Sequence, residues 1–138
     1  MKKRIPLTLF IAFSFITIFL GGCKSEEKEV KKLKDLDFTV VEDADLPEEL
    51  KTLIEEKKQE AFKMTYSDKE NLYIVVGYGE KQTGGFSITV DELYLTDNAI
   101  YINTNLTGPS KEDKVTQALT YPYVVVKTEF IDKSVVFE

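Results

Sequence analysis

Carboxylates are the most abundant groups in this sequence that could do chemistry. They cluster at residues 42–45 (Glu-Asp-Ala-Asp), 91–92 (Asp-Glu) and 112–113 (Glu-Asp). Paired carboxylates can cleave glycosidic bonds or bind Ca²⁺, but none of these clusters has the spacing of a calcium loop closed by a distal glutamate. The 138 residues contain no histidine, so the commonest general base and metal ligand is missing. We interpret the clusters as solvated surface and predict no catalytic residue, no metal site and no cofactor.

A glycine-rich segment at residues 77–85 invites comparison with phosphate-binding loops. Gln82 stands where the dinucleotide-binding fingerprint requires glycine, and Gly85 stands where a Walker loop requires lysine. No helical pattern follows the segment, so no helix N-terminus would be in place to bind a phosphate. We interpret the segment as a connection between strands, in which the glycines permit positive φ angles.

The single cysteine, Cys23, follows an export leader. Three positive charges at residues 2–4 precede a mostly apolar run at residues 5–20. This run is shorter than the about 20 apolar residues of a membrane-spanning helix, and the leader has the parts of a signal peptide. The Leu-Gly-Gly-Cys sequence that ends at Cys23 also resembles a bacterial lipobox, which implies lipid attachment to Cys23 and cleavage before it. We predict a signal peptide at residues 1–22 and a lipoprotein held in the cell membrane, on its extracytoplasmic face.

The charge distribution separates a short tether from a domain. Lysine and glutamate dominate residues 24–34, with little to bury, which predicts a lipidated flexible tether at residues 23–34. The remaining domain, residues 35–138, has 10 lysines, 21 acidic residues and no arginine, a net charge of −11. Nucleic-acid binding relies on the neutralisation of phosphates, so we exclude nucleic acid as a partner.

The patterns along residues 35–138 predict one helix and several strands. Asp45 and Glu48 have the spacing of a capping box, and an apolar stripe from Leu46 to Ala61 predicts an amphipathic helix of about 14 residues. Apolar alternation or continuous apolar runs predict strands near residues 38–41, 62–66, 72–76, 86–95, 99–103, 123–126 and 135–137. We predict an α+β domain, mainly antiparallel β, with one N-terminal amphipathic helix packed on a six- or seven-stranded sheet or a small β-sandwich.

Two segments carry a more specific resemblance. Residues 82–88 (QTGGFSI) and 116–126 (TQALTYPYVVV) both place glycine, proline, amide or aromatic residues where loops meet strands. Together they resemble the core of the PrcB C-terminal domain family, named for a subunit of a bacterial surface protease complex. The resemblance covers residues 72–127. It implies a small, β-rich, non-catalytic accessory domain at the cell surface that assembles with an exported protease or another envelope protein.

These segments supply a candidate partner-binding surface at residues 79–86 and 106–121. The partner-binding candidates are Gly79, Lys81, Thr83, Gly84, Gly85, Phe86, Gln117, Tyr121 and Pro122. The same residues also suit turn formation and the start of a strand alone, because glycine and proline patterns usually specify backbone geometry.

Two further functions stay open. A protease inhibitor is one of them, because residues 83–86 resemble the inhibitory loop of chagasin-like proteins, although Lys81-Gln82 replaces the asparagine and proline of that loop. The other is a receptor for a small envelope ligand or a cation. It is favoured by the acidic clusters and by four tyrosines, Tyr66, Tyr73, Tyr78 and Tyr94.

Overall fold

The computed structural model describes residues 31–138, and in this part of the chain eight strands form two four-stranded sheets beside one α-helix. In chain order the elements are β1 (Lys32–Asp35), β2 (Thr39–Val40), a 3₁₀ turn (Asp43–Asp45), α1 (Glu48–Lys57), β3 (Ala61–Ser67), β4 (Asn71–Tyr78), β5 (Ser87–Thr96), β6 (Ala99–Thr107), β7 (Tyr123–Glu129) and β8 (Ser134–Phe137). The predicted signal peptide, Cys23 and positions 23–30 of the predicted tether lie outside the described residues. None of the described helices has the length and apolar character needed to cross a bilayer.

The mainly antiparallel β-fold with one short helix confirms the coarse prediction, but the strand number was wrong. Sheet 1 has the order β1-β5-β6-β8, and sheet 2 has the order β2-β7-β4-β3. Every described strand pair is antiparallel except β6 and β8, which are parallel. The strand missed by the sequence patterns is β1, which begins inside the predicted tether. Its sequence is Lys-Leu-Lys-Asp and all its residues are exposed, so no apolar alternation signals it.

The two sheets pack face to face around one apolar core. β4 and β7, the central strands of sheet 2, contribute alternate residues such as Ile74 and Val126, both fully buried. Sheet 1 contributes Ile100 and Ile102 from β6. Alternation places the intervening residues of β4 and β7 on the opposite face of sheet 2, where they are buried as well. The continuous apolar run at residues 123–126 therefore lies in a central strand, as predicted.

A second apolar cluster lies between sheet 2 and α1. Leu50 and Ile54 from the helix are almost completely buried against Val75 and Val125. Their spacing of four residues puts both side chains on one face of the helix. The domain is therefore layered as helix, sheet 2 and sheet 1.

The helix is shorter than predicted and begins later. It starts at Glu48, and the N-cap position is occupied by Pro47 rather than by the predicted Asp45, with no side-chain cap. The residue before a proline is driven out of the α region, and Leu46 is indeed extended (φ −77°, ψ 145°). Asp45 belongs to the preceding 3₁₀ turn, so the expected capping box does not form. Ala61, which the helical stripe included, is the first residue of β3.

The strand register shows at which end of the domain each connection lies. β3 begins where β4 and β6 end and where β5 and β7 begin. The connections at this end are residues 58–60, 79–86 and 108–122; we call it the loop end and the two longer connections the loop pair. Lys32 pairs with Thr96 at the opposite end, where β5 turns into β6. The described chain thus starts at that opposite end, which we call the tether end.

Candidate functional site

The two connections of the loop pair are joined by hydrogen bonds. Lys81 and Thr120 exchange backbone N–H···O bonds of 2.8 and 2.9 Å and form an isolated antiparallel bridge. The Gly84 N–H donates to the Thr116 carbonyl at 2.9 Å, and the Thr120 hydroxyl donates to the Thr83 carbonyl at 2.7 Å. The structure therefore brings the two segments singled out in the sequence into one surface.

Two glycines of the first connection are required by backbone geometry. Gly85 has φ +89°, and a Cβ on it would lie 2.5 Å from a methyl of Val115 and 2.9 Å from Pro109. Gly79 has φ +79° and is buried, so it shapes the turn out of β4 and offers no side chain for contact. Residues other than glycine rarely adopt such φ angles. The predicted turn role of these glycines is thus visible in the structure.

Phe86 and Pro122 fix the points where the loop pair meets the sheets. The Phe86 ring is half-buried and lies 3.1 Å from the position that a Cβ on Gly108 would occupy. The Pro122 carbonyl accepts a hydrogen bond from the Tyr78 N–H at 3.0 Å, immediately before β7. A proline is tolerated at this point because it need not donate to the ladder. Both residues support the loop pair from within.

Charged and aromatic side chains connect the loop pair to the end of α1. The Lys58 ammonium lies 5.2 Å from the centre of the Tyr121 ring and 2.9 Å from a carboxylate oxygen of Glu55. The Tyr121 hydroxyl donates to Glu80 at 3.4 Å. The Glu80 N–H donates to the Gln59 carbonyl at 3.2 Å, directly after the helix. The helix end and the loop pair are therefore held in one arrangement.

The side chains that the loop pair leaves open are the ones a partner could touch. Lys81 is half-exposed, and Gln117 is exposed with its amide 3.5 Å from the Val115 carbonyl. Leu119 is 49% exposed, although it lies one residue from the bridging Thr120. The sequence interpretation did not select Leu119. The sequence did contain a signal for Leu119, because it is a single leucine in a polar connection and belongs to no apolar pattern.

The acidic clusters do not form a metal centre in the described part of the chain. Within residues 31–138 no group of three ligating side chains is placed to hold an ion. Asp43 instead accepts a hydrogen bond from the Tyr123 hydroxyl at the start of β7. Burial raises the pKa of Tyr123 above its ordinary value, and the hydrogen bond to Asp43 raises it further. A cleft of about 300 Å³ beside this pair is lined by Asp43, Ala44, Lys51, Glu55 and Tyr123.

The four tyrosines that favoured a ligand receptor are spread over different faces. Tyr66 and Tyr73 lie on the helix side of sheet 2, and the Tyr66 hydroxyl donates to Glu49 at 2.8 Å. Tyr78 packs against the core between the sheets, with its hydroxyl 2.5 Å from that of Thr104. Tyr94, on sheet 1, donates to Glu138 at 2.9 Å. The structure does not bring these tyrosines together into one site.

Comparison with protein-family models gives one finding that matches the geometry. Residues 72–129 match the family described as PrcB C-terminal. The matched segment runs from β4 to the end of β7, so it contains the whole loop pair and both central strands of sheet 2. The resemblance predicted over residues 72–127 is confirmed by this match. Searches of the curated proteins and of the solved structures found no match.

Proposed function

We propose that this chain, which carries a PrcB C-terminal-like domain, is a membrane-anchored extracytoplasmic lipoprotein whose domain binds another exported protein and catalyses no reaction. The proposed partner is a component of a surface protease complex, as the family resemblance implies. The observation that carries the proposal is the position of the loop pair, at the end of the domain opposite the tether end.

The strand register relates this position to the proposed anchor. Cys23 precedes Lys32 by nine positions, and Lys32 lies at the tether end. A lipid on Cys23 would therefore hold that end of the domain towards the membrane. The loop pair lies at the other end, where a second exported protein can reach it.

Preorganisation of the loop pair supports a binding role. The bridge between Lys81 and Thr120 and the bonds from Gly84 and Thr120 hold the connections in one conformation before a partner arrives. A surface that is already ordered loses less conformational entropy on binding. Leu119 is held at this surface with half its area exposed, and burial of apolar area contributes roughly 25 cal/mol per Å².

Composition supports the absence of catalysis. The sequence has no histidine, and its single cysteine is the proposed lipid site, where the sulfur would be a thioether and not a nucleophilic thiol. Without histidine, a serine or threonine nucleophile would need another base, such as lysine. The Ser-x-x-Lys spacing of known serine–lysine pairs occurs once, at Ser25–Lys28 in the predicted tether, and nowhere in residues 35–138.

The anchor is tested by the Cys23→Ser variant, with Ser25→Ala as the matched control. We expect Cys23→Ser to run as the unprocessed precursor and to incorporate no labelled palmitate, because serine cannot form the thioether. The control should be processed and labelled like the parent chain. Normal processing of Cys23→Ser would overturn the lipoprotein assignment.

The binding surface is tested by crosslinking the tethered protein in its own membranes and recovering its partner. We expect Leu119→Asp to lower the recovery about tenfold, because a charge replaces apolar area at the surface. Leu33→Asp is the matched control: Leu33 is also exposed (53%) but lies on β1, away from the loop end. Its recovery should equal that of the parent chain.

A charge-reversal pair completes the test. Lys81→Glu should lower recovery, whereas Lys69→Glu, in the β3–β4 turn at the tether end, should not. If no partner is recovered from the parent chain, or if the control variants lose it equally, the loop pair is not the binding surface.

A further inference from the structure

One side of β5 is unpaired over half its length. β1 pairs with β5 only from Tyr94 to Thr96, and the Leu36 N–H adds one bond to the Leu93 carbonyl at 2.9 Å. Within the described part of the chain, positions 87–90 and 92 pair with β6 alone. A strand with one open side presents backbone N–H and C=O groups that can pair with an added strand.

Sheet 2 leaves apolar area uncovered beside the unpaired side of β5. Val40 in β2 pairs with Val126, which is fully buried in the core between the sheets. Side chains of directly opposite residues share a face, so Val40 points towards sheet 1. It is nevertheless 53% exposed, because β1 ends at Asp35 and no further strand of sheet 1 lies over it. Ile88 and Val90 of β5 are only half-buried where they pack on this core.

The charge at this opening has one sign. Residues 39–40 of β2 and residues 87–92 of β5 together carry two carboxylates, Asp91 and Glu92, and no lysine. Asp91 and Glu92 are exposed, and Asp91 also forms a β-bulge that interrupts the ladder with β6 after Val90. The regular open edge is therefore short and ends beside two negative charges. A segment that pairs there gains from basic residues.

We propose that an extended segment of another protein, with apolar residues alternating with lysine or arginine, adds to sheet 1 along residues 87–90. Its inward side chains would cover Val40 and pack beside Ile88 and Val90. Its basic side chains would lie near Asp91 and Glu92. This goes beyond the proposed function of the loop pair, since it rests on a sheet edge and not on the loops. Residue 87 directly follows the loop pair, so one partner can occupy both surfaces.

The other open edges suit an added strand less well. β3 pairs only with β4 within residues 31–138, but Lys63 points inward between the sheets, with its ammonium 5.8 Å from the centre of the Phe137 ring. An inward-pointing charge on an edge strand discourages further pairing. The part of β6 beyond β8 lies on the same side as β3 and faces the exposed inner residues at the start of that strand, among them Lys63.

The test uses the full chain in detergent and a blocked peptide of about seven residues that alternates valine with lysine. A peptide that alternates valine with glutamate is the control, since it keeps the strand pattern and reverses the charge. We expect the lysine peptide to bind at least about tenfold more tightly. On its addition, amide hydrogen exchange should slow at residues 87–90 and at no other edge strand.

Matched variants locate the site. Val40→Asp and Glu92→Lys should each weaken the lysine peptide at least about tenfold. Val136→Asp and Glu70→Lys are the controls, because Val136 is an exposed valine (38%) on the other edge strand of sheet 1 and Glu70 lies in the β3–β4 turn at the tether end. Both controls should change binding less than about twofold. Val40 and Glu92 are exposed, so these changes leave the buried core intact.

Several results would overturn this inference. They are absence of binding by the lysine peptide, equal binding of both peptides, or amide protection on β3 instead of β5. Self-association of the chain with protection at residues 87–90 would show that a second copy takes the site, which would also contradict it. Peptide binding that persists while Leu119→Asp has no effect on partner recovery would count against the proposed function alone.

Discussion

Sheet 1 and sheet 2 share one core but differ in what covers their outer faces. On sheet 2 the helix α1 lies over the sheet, and Ile54 and Val125 are almost completely buried in the second apolar cluster. Within residues 31–138 nothing covers the outer face of sheet 1. There Tyr94 and Tyr101 stack with ring centres 5.3 Å apart and planes within 5°, and Val136 is 38% exposed.

This difference separates the part of the domain that stabilises the fold from the part that can meet a partner. Burial on both faces makes β4 and β7 the most constrained strands, since each of their side chains packs against another layer. Sheet 1 has one solvated face, and its edge strands β1 and β8 have four residues each. Because β1 is so short, it leaves part of β5 unpaired.

The largest expected effect comes from the covered side of sheet 2. Ile54→Ala should lower the free energy of unfolding by about 2–5 kcal/mol, because it opens a cavity between helix and sheet. Val136→Ala, on the open face of sheet 1, should lower it by less than about 1 kcal/mol. Chemical denaturation of both variants checks the difference. If both variants lose the same free energy of unfolding, the helix layer adds little to stability, and the two sheets do not differ in this respect.

A smaller effect is expected where the loop pair leads into sheet 1. Gly85→Ala should lower the free energy of unfolding by about 1–3 kcal/mol, since it forces a positive φ on alanine and a Cβ against Val115. Gly84→Ala is the matched control: its Cβ would meet Thr116 at an ordinary 3.6 Å. Thermal unfolding of the two variants measures the difference. A destabilisation by Gly84→Ala as large as that by Gly85→Ala would show that the loop pair tolerates no added side chain.

Elements with one strong periodic signal were predictable from the sequence. The apolar run at residues 123–126 has no polar position, and this required burial on both faces of a central strand. The helix was predicted, but its start was wrong, since Pro47 forces Leu46 into an extended conformation and overrides the capping pattern at Asp45. Local competition between two signals decided that boundary.

Features that depend on distant partners were not predictable in the same way. β1 is charged and exposed, and only its pairing with β5 makes it a strand. The candidate surface was reached through a family resemblance, because no local pattern shows that Lys81 and Thr120 pair across the loop pair. The exposure of Leu119 depends on that tertiary arrangement too. Periodicity describes burial along one element, whereas these contacts join segments far apart in the chain.

The open face of sheet 1 should also be sensitive to alkaline pH. Burial and then the hydrogen bond to Glu138 raise the pKa of Tyr94 from 10.0 to about 12. The folded state thus favours the neutral phenol, so this contribution to stability is complete below pH 10 and is lost as the pH rises towards about 12. The urea concentration at the midpoint of unfolding should therefore fall between pH 10 and about 12, and it should fall less in Tyr94→Phe.

Glu138→Gln is the control for the cause of that shift. It removes the carboxylate but keeps the burial that contributes most to the raised pKa of Tyr94, so most of the fall should remain. If the fall disappears in Glu138→Gln, the carboxylate and not burial dominates the pKa of Tyr94.

The smallest expected effects come from two lysines with the same kind of contacts on different sides of the domain. Lys58 lies 2.9 Å from Glu55 and 5.2 Å from the centre of the Tyr121 ring, whereas Lys32 lies 2.6 Å from Asp35 and 5.7 Å from that of Tyr94. The two lysines differ in exposure: 26% of the Lys58 side chain is exposed, compared with 48% of the Lys32 side chain. Solvent weakens ion pairs and cation–π contacts, so the distances alone do not rank the two.

We expect Lys58→Met to lower the free energy of unfolding by about 0.5–1 kcal/mol and Lys32→Met by less than about 0.5 kcal/mol. Methionine keeps the apolar stem, so the measured difference reports the charge. Raising the salt concentration should shrink the effect of Lys32→Met first, because the more exposed charge is screened more completely. A larger loss from Lys32→Met would mean that β1 is held mainly by this ion pair. In that case a high salt concentration would weaken the ion pair and release β1 from β5. The unpaired part of β5 would then become longer.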